Sequence, residues 1–482
     1  MDCRWDGSRF SMQQVHRFPN GGVHFGNSLH WDVLRMWSEI QNGLRQYRAW
    51  GGDTPCGIGV DAWGVDFGLL DERDRLLGNP YHYRDARTKG LPERVHTVMG
   101  PRELFRATGG QTMEINTVFQ LASMIFHRDR QLRNAYALLM IPDLFQFLLS
   151  GQKRAEYTEA TTTQLYDVQA RSWSQAALAA FQLPPRLFQG VVLPGTILGS
   201  LLAAVKTECG FAREFPCIAV ASHDTASAVA AIPGLDASSV FLSSGTWSLL
   251  GVAAREPNLS DGFFRGGFTN EGAADGGVLM LKNLTGLWIL QECVRMWEAA
   301  GQHQAWSDLE KAAEKAPAFR SFIDPSADAL QAPADMLAAV RDACVRSGQP
   351  VPEAAGEVAR CIFESLSFSY RETIESLEQM TGRSLRTIRV VGGGSLNRFL
   401  CQMTADACGR EVVAGPVEAA ALGNAMVQAA ATGHLKNLEE GRAALGASVE
   451  CQRYEPSSGA AWTDAYQRYK TAVAHSRGPR TA

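Results

Sequence analysis

Residues 217–234 read CIAVASHDTASAVAAIPG: a short apolar run, a polar break across residues 222–225, then a helix of small residues. A strand that turns directly into a helix is half of a repeating unit, and chains built from such units fold as sheets with helices packed on their faces. The same rhythm runs from here to about residue 455, and a similar alternation precedes it. With 482 residues the chain is too long for one core. The expectation is therefore two α/β domains with a cleft between them.

Finer features fit that frame. Residues 2–17 predict a hairpin, with a two-residue turn at Asp6-Gly7 and a second strand through Phe10, Met12 and Gln14. A helix is expected from about Asp32, because Trp31, Leu34, Trp37, Ile40, Leu44 and Tyr47 fall three or four residues apart. CGIGVDAWGVDFGLLD reads as strand, tight glycine turn, strand. Residues 101–190 read as mostly helical, with Gly151 as a C-cap. Residues 355–380 form a marked helix that Gly382 stops, and the alanine-rich 299–345 stretch reads as surface helix.

The charge balance excludes some partners. With 46 basic and 50 acidic residues the net charge is −4, which advertises neither a nucleic acid nor an acidic membrane. MDCRWDGSRF has no apolar leader, and YALLMIPDLFQFLLSG is interrupted by Pro142 and Asp143, so a cytoplasmic protein is expected. The ten cysteines include no C-x-x-C pair and are read as buried thiols.

Four stretches can carry chemistry. In FLSSGTWSLLGV (241–252), Gly245 can take a positive φ, letting neighbouring N–H groups and the Thr246 hydroxyl converge on an anion; a plain hairpin turn would look the same. In VVGGGSLNRFL (390–400), three glycines lie between a strand and a helix starting near Asn397, where a ligand could press against bare backbone; a flexible connector is the alternative. No Gly-Lys-Ser or Gly-Lys-Thr occurs, so a nucleotide would have to be held without that phosphate loop. In SHDTASAV, Asp224 opens a helix and is expected as its N-cap, yet His223, Asp224 and Thr225 also place a base and two polar partners at a strand-to-helix corner. Trp63-Gly64, with Arg84, Asp85 and Arg87 nearby, suits a polyhydroxylated small molecule, although a lone tryptophan is commonly core.

In the order GVDAWGVDFGLLD, YRDART, INTVFQL, EYTEATTTQLYD, SHDTASAV, FLSSGTWSLLG, LKNLTGLWILQE and VVGGGSLN…ADACGREVVAGPVEAAALGN, the chain resembles the FGGY carbohydrate kinases from about residue 9 to about 430. Within that family it is similar to the branch acting on L-rhamnulose. The resemblance implies an α/β fold of two ribonuclease-H-like domains, of the actin and hexokinase type, around a central cleft. Residues 1–231 would form the sugar-binding domain, 232–455 the nucleotide-binding domain, and 456–482 a C-terminal helix and tail. The implied reaction transfers the γ-phosphoryl of ATP, with Mg²⁺, to the 1-hydroxyl of L-rhamnulose. Carried over by position, Asp224 would be the catalytic base; Gly64, His223, Thr225 and Asn283 would line the sugar site; Thr246, Gln291, Gly393 and Gly394 would meet ATP. The residues that place the metal are left unassigned, since the family's aspartate that helps to do so belongs to a strand this sequence does not show. The partners are then a small-molecule sugar and ATP, with no nucleic acid and no membrane. Another ketose, or a sugar-binding protein that transfers no phosphate, remains an alternative.

Kinases of this family also carry a first phosphate hairpin whose opening strand bears Asp-x-Gly. Here CRWDGSRFSMQQVHRF matches only the end of that hairpin and the strand that follows. A gene start assigned about twenty residues late is the favoured explanation. For the polypeptide without that strand, little or no kinase activity is expected, because a sheet lacking a middle strand leaves neighbouring backbone groups unpaired.

Overall fold

The computed structural model describes residues 1–331, 333–457 and 459–477; the remainder of the expected 456–482 tail lies outside the described residues. The chain divides into two units. The first comprises 1–234, 253–280 and 419–448, and the second 235–252, 281–418 and 449–482. Among the described residues no helix is long and apolar enough to cross a membrane.

In the first unit Phe67–Leu70 pairs antiparallel with Ala137–Met140. Period-two alternation sends Phe67, Leu69, Leu138 and Met140 into one apolar cluster and Leu70, Ala137 and Leu139 into another, so both faces of this pair are buried. The expected N-terminal hairpin forms between Asp2–Trp5 and Phe10–Gln13, but Trp5 pairs with Phe10, so its connection is the four residues 6–9, with Gly7 at φ 98°, and not the two-residue turn expected. Gly151 closes the helix Ile141–Ser150 in the left-handed conformation at φ 73°.

Three local expectations are corrected here. The helix Val33–Ala49 is capped by Asp32, but it buries Val33, Met36 and Gln41, and Leu34 is 66% exposed. Its expected stripe was displaced because spacings of three and four fit more than one face. The strand expected at CGIG is reduced to isolated parallel bridges, Ile58 with Cys217 and Ala62 with His223. Glycines are needed there because a Cβ on Gly57 or Gly59 would lie 2.7 Å from Ile218 or 2.4 Å from Val220. The sharp bend that follows falls on Val65, at φ 68°, and not on a glycine.

In the second unit the strands Ser239–Ser244, Thr387–Val391 and Glu411–Ala414 run parallel. Trp247–Ala254 flanks them antiparallel on one side and Gln452–Tyr454 on the other. Against this sheet lies the 27-residue helix Ala355–Thr381, which Gly382 ends at φ 66°, as expected. Its Tyr370 hydroxyl reaches Ser248 Oγ at 2.7 Å, tying helix to sheet through a buried polar pair. Seven of the ten cysteines are buried, as read from the sequence, whereas Cys3 and Cys451 are half-buried and Cys56 is exposed; all ten are free.

Two features of the first unit make measurable demands. The helix Ala419–Ala431 lies so close to the helix Asp224–Ala230 that a Cβ on Gly423 would sit 1.8 Å from the Ser227 carbonyl oxygen. Gly423→Ala is therefore expected to destabilise the protein by about 2–3 kcal/mol or more, since backbone must move; a denaturant melt showing less than about 1 kcal/mol would contradict this packing. The same unit buries several carboxyls. Burial pushes Glu156 up to about 7 and Asp61 and Asp66 up to about 6, and raises Asp143 and Glu159 well above the ordinary carboxylate range.

From pH 8 downward the unfolded chain keeps its carboxyls ionised, whereas the folded chain takes back part of the proton on Glu156, and the raised Asp143 and Glu159 act in the same direction. Folding thus takes up protons, and stability rises as pH falls, by about 1.4 kcal/mol per pH unit for each proton held only when folded. From about pH 7.5 downward the trend is increasingly opposed by His82, which burial lowers to about 4, and by His96, which burial also lowers, because the unfolded imidazoles take up protons that the folded ones refuse. Calorimetry is expected to give a Tm that rises from pH 8 to pH 7. A flat or falling Tm over that range would mean these carboxyls are ionised in the folded protein.

Candidate active site

The corner predicted at residues 222–225 forms where the strand Pro216–Ala219 runs out and the helix Asp224–Ala230 begins. Asp224 is the first residue of that helix, and His223 occupies the N-cap without a capping side chain, so the expected N-cap role of Asp224 is not realised. Its backbone is pinned instead, donating from Asp224 N to Ala62 O at 2.9 Å while Ala62 N donates to Ser222 O at 2.9 Å. The carboxylate is left 49% exposed, with the Thr225 hydroxyl 3.4 Å from Oδ1.

His223 is buried between two carboxylates. Its Nδ1 lies 3.3 Å from Glu271 Oε2 and its Nε2 3.7 Å from Asp224 Oδ1. Burial acts to lower the basicity of the ring, but the adjacent Glu271 carboxylate and the charges of Asp224 and Glu156 outweigh it, and the net shift is upward. Burial likewise raises Asp224, against the opposing pull of His223 and of hydrogen bonds from Thr225. A proton acceptor held beside an imidazole that is shifted toward its charged form, with one face open to solvent, is suited to taking a hydroxyl proton. Glu271 was not identified from the sequence. It lies on the strand Thr269–Gly272, 47 positions after Asp224, and no spacing rule links the two.

Gly64 is buried beside the Val65 bend, and a Cβ there would come within 2.8–2.9 Å of the Thr162 side chain. The bend is over-determined. Val65 N donates to Thr162 Oγ1 at 3.1 Å, Val65 O accepts from Thr117 Oγ1 at 2.7 Å and Gln120 Nε2 at 3.2 Å, and Asp66 N returns to Gly64 O at 3.0 Å. A β-branched residue at positive φ persists only under such constraint, and backbone of this kind gathers at functional sites. Beneath it Asp66 accepts from the indole N–H of Trp31 at 2.5 Å and of Trp63 at 3.0 Å. The charged cluster expected at 84–87 is largely structural: Asp85 accepts from Leu29 N and Arg87 N, and Arg87 donates to Gln120 Oε1 at 2.7 Å and stacks on Tyr81.

A second connection to the corner was also missed. Asn424, on the helix Ala419–Ala431, donates to Asp61 Oδ1 and to Gly59 O, and accepts from Gln428. The only local signal is Gly423 beside it in a run of small residues.

In the second unit the hairpin at 241–252 forms as predicted, but Gly245 does not take a positive φ. The anion-nest geometry expected there is therefore not realised through Gly245. Its N–H donates to Trp247 O at 2.8 Å, and the carbonyls of Gly245 and Thr246 accept N–H groups from Leu287, Gly286 and Trp288. The turn is thus welded to the start of the helix Trp288–Ala299. Its Thr246 hydroxyl donates to Gln291 Oε1 at 3.1 Å, joining two of the residues assigned to the nucleotide. Positive φ occurs instead at Gly392, at 80°, which lets the next two residues fold back against the strand Ser239–Ser244. A Cβ on Gly394 would fall 2.0 Å from Ser244 Oγ, whereas Gly393 is exposed, with nothing within 4 Å of the position a Cβ would take. Asn283 lies half-buried on the strand Val278–Thr285 of the same unit.

Comparison with known proteins places these elements in a family. Residues 27–231 match the N-terminal domain, and residues 240–432 the C-terminal domain, of the FGGY family of carbohydrate kinases. A rhamnulokinase of Bacteroides thetaiotaomicron is 39% identical over 463 residues, covering 96% of this chain and 94% of that protein. A rhamnulokinase of Pectobacterium carotovorum subsp. carotovorum is 38% identical over 460 residues, covering 95% and 90%. Among solved structures, a ligand-bound xylulose kinase from Lactobacillus acidophilus superposes with a TM-score of 0.78 at 15% identity, covering 97% of this chain and 92% of that one. A xylulose kinase from Rhodospirillum rubrum gives 0.76 at 17% identity, covering 94% and 92%. The fold is thus that of the FGGY sugar kinases, the two-domain actin and hexokinase type.

Proposed function

Because the chain belongs to the FGGY family of carbohydrate kinases and is an ATP-dependent sugar kinase, we propose that its acceptor is the 1-hydroxyl of L-rhamnulose, with Asp224 as the proton acceptor. The substrate reading rests on full-length relatives named rhamnulokinase. The mechanistic reading is carried by one observation, the half-exposed Asp224 carboxylate fixed at a strand-to-helix corner beside a buried His223–Glu271 pair.

The chemistry follows from those groups. The ketose oxygen O1 attacks the γ-phosphorus as the bond to the β,γ-bridging oxygen breaks, so the products are a sugar 1-phosphate and ADP. The hydroxyl proton passes to an Asp224 oxygen. His223, shifted toward its charged form, favours the ionised form of Asp224 before the step, and the Glu271 carboxylate stands 3.3 Å from the far side of the ring. Gly64, His223, Thr225 and Asn283 are proposed to contact the sugar, and Thr246, Gln291, Gly393 and Gly394 the nucleotide. The exposed backbone at Gly393 and the tied Thr246–Gln291 pair suit a phosphate tail.

Transfer of this kind has a loose transition state, so positioning and charge neutralisation supply most of the rate. Among the described residues no group of three or more His, Cys, Asp or Glu side chains could hold a metal ion. Mg²⁺ would enter with the nucleotide, liganded mainly by phosphate and water oxygens, which leaves the Asp224 carboxylate to take the hydroxyl proton. When bound, the ion neutralises charge on the transferring group.

Coupled ADP-release assays with L-rhamnulose, L-fuculose and D-xylulose test the substrate; preference for L-rhamnulose by at least about 10-fold in kcat/KM is expected. Asp224→Asn is expected to lower kcat at least about 100-fold while calorimetric sugar affinity stays within about 3-fold. Undiminished turnover would remove Asp224 as the base, and sugar binding by the wild-type protein without ADP release would instead indicate a binding protein. Thr246→Val is expected to raise the KM for ATP about 5- to 10-fold and leave sugar binding alone, since it deletes one hydroxyl from the nucleotide side; a raised sugar KM with ATP unaffected would reverse that assignment.

A further inference from the structure

The segment EYTEATT, residues 156–162, has been given no task above, yet nearly all of it is buried and much of it is polar. It forms the short helix Tyr157–Thr162 with Glu156 as its N-cap. Each threonine hydroxyl that reaches outward first donates its proton locally. Thr161 donates to Thr158 O at 2.8 Å, Thr162 to Glu159 O at 2.8 Å, and Thr158 to Glu156 Oε2. With their protons committed, these hydroxyls can only accept, and each accepts a backbone N–H from a different loop.

Thr158 Oγ1 takes His223 N at 3.0 Å, Thr161 Oγ1 takes Gly272 N at 2.8 Å, and Thr162 Oγ1 takes Val65 N at 3.1 Å. Glu156 adds a fourth contact, accepting Ser222 N at 3.0 Å while also capping its own helix through Thr158 N and Glu159 N. Positions 158, 161 and 162 share one helix face. The three loops so held carry Asp224, Glu271 and Gly64. Two of them approach so closely that glycine is required: a Cβ on Gly272 would lie 2.8–2.9 Å from Tyr157 and Thr158, and one on Gly64 2.8–2.9 Å from Thr162.

We propose that Thr158 and Thr162, backed by Glu156 and Thr161, are positioning residues that set the relative placement of the proton-accepting corner and the sugar-contacting backbone. The inference rests on the reading of Asp224 as base and Gly64 as a sugar contact. It separates two effects: Thr158 acts on the chemical step through His223 and Asp224, and Thr162 acts on sugar binding through Val65 and Gly64.

The test is steady-state kinetics on single variants, with unfolding monitored in parallel. Thr158→Val keeps the shape and deletes the acceptor; it is expected to lower kcat about 10- to 100-fold with the sugar KM within about 2-fold, as a displaced reacting group does. Thr162→Val is expected to raise the sugar KM about 10-fold with kcat nearly held, as a displaced binding group does. Thr158→Ser and Thr162→Ser, which retain the hydroxyl, are expected to restore wild-type constants to within about 3-fold.

Should a valine variant fail to fold, the Thr158→Ser and Thr158→Cys pair replaces it, because the two side chains differ mainly in acceptor strength; cysteine is expected to reproduce the loss in kcat that serine does not. Valine variants with wild-type constants, serine variants as impaired as valine, or identical changes in kcat and KM at both positions would each overturn the proposal. Asp224→Asn assayed alongside keeps the two readings apart. If it is inactive while Thr158→Val is unaffected, only the positioning role fails; if it remains active, the assignment of the base fails.

Discussion

Three consecutive backbone N–H groups, those of Ser222, His223 and Asp224, are each taken by a different acceptor: the Glu156 carboxylate, the Thr158 hydroxyl and the Ala62 carbonyl. Most of the first unit's functional geometry follows from this. A buried N–H without a partner is costly, so a strand that turns into a helix in the protein interior must find acceptors outside regular secondary structure. Here they come from one short helix and from the bridge at Ala62. The corner cannot shift without breaking one of them, and the Asp224 side chain is aimed as a consequence of backbone accounting.

The same solution explains an electrostatic cost. Carboxyls are good acceptors for several N–H groups at once, and Glu156 uses that capacity fully. Burying it raises its affinity for a proton, and its neighbours Asp143 and Glu159 are raised in the same way, partly by one another. A unit that buries several carboxyls together gives up stability at neutral pH for placement and charge. His223 benefits directly, since Glu271, Asp224 and Glu156 together hold it toward its charged form despite its burial.

Much of this architecture was legible in the sequence, and the remainder fails for reasons that can be named. Gly151 and Gly382 end their helices where local pattern places them, because a left-handed C-cap is a property of a few consecutive residues. The 241–252 hairpin forms for the same reason. Errors arose where tertiary contacts choose among local options. Gly245 was assigned a positive φ that falls to Gly392, because the turn's backbone groups are spent on the helix start at 286–288. Asp224 was expected to cap its helix, but the bridge to Ala62 carries the corner and leaves the carboxylate free for other work. Glu271, Asn424 and Thr158 were not singled out, since their partners lie tens to hundreds of positions away. A resemblance brought Gly64 and Asp224 together, but the means of holding them in register is visible only in three dimensions.

That means of holding has a consequence for how the site forms. A helix of six residues is far below the length at which hydrogen-bond cooperativity offsets the cost of nucleation. Threonine is a poor intrinsic helix former, because its branched side chain restricts χ1. The Tyr157–Thr162 helix therefore owes its existence to the loops it holds: their N–H groups engage its hydroxyls, and Glu156 joins its N-terminus to Ser222. Loops and helix stabilise each other, and neither is preformed. The β-branching that weakens the helix in isolation then becomes useful, because a hydroxyl with restricted χ1 and a proton committed to the helix's own carbonyl offers its lone pair in a fixed direction. The polar composition of this buried segment, unfavourable by any local criterion, is what lets three separate stretches of chain meet in one geometry.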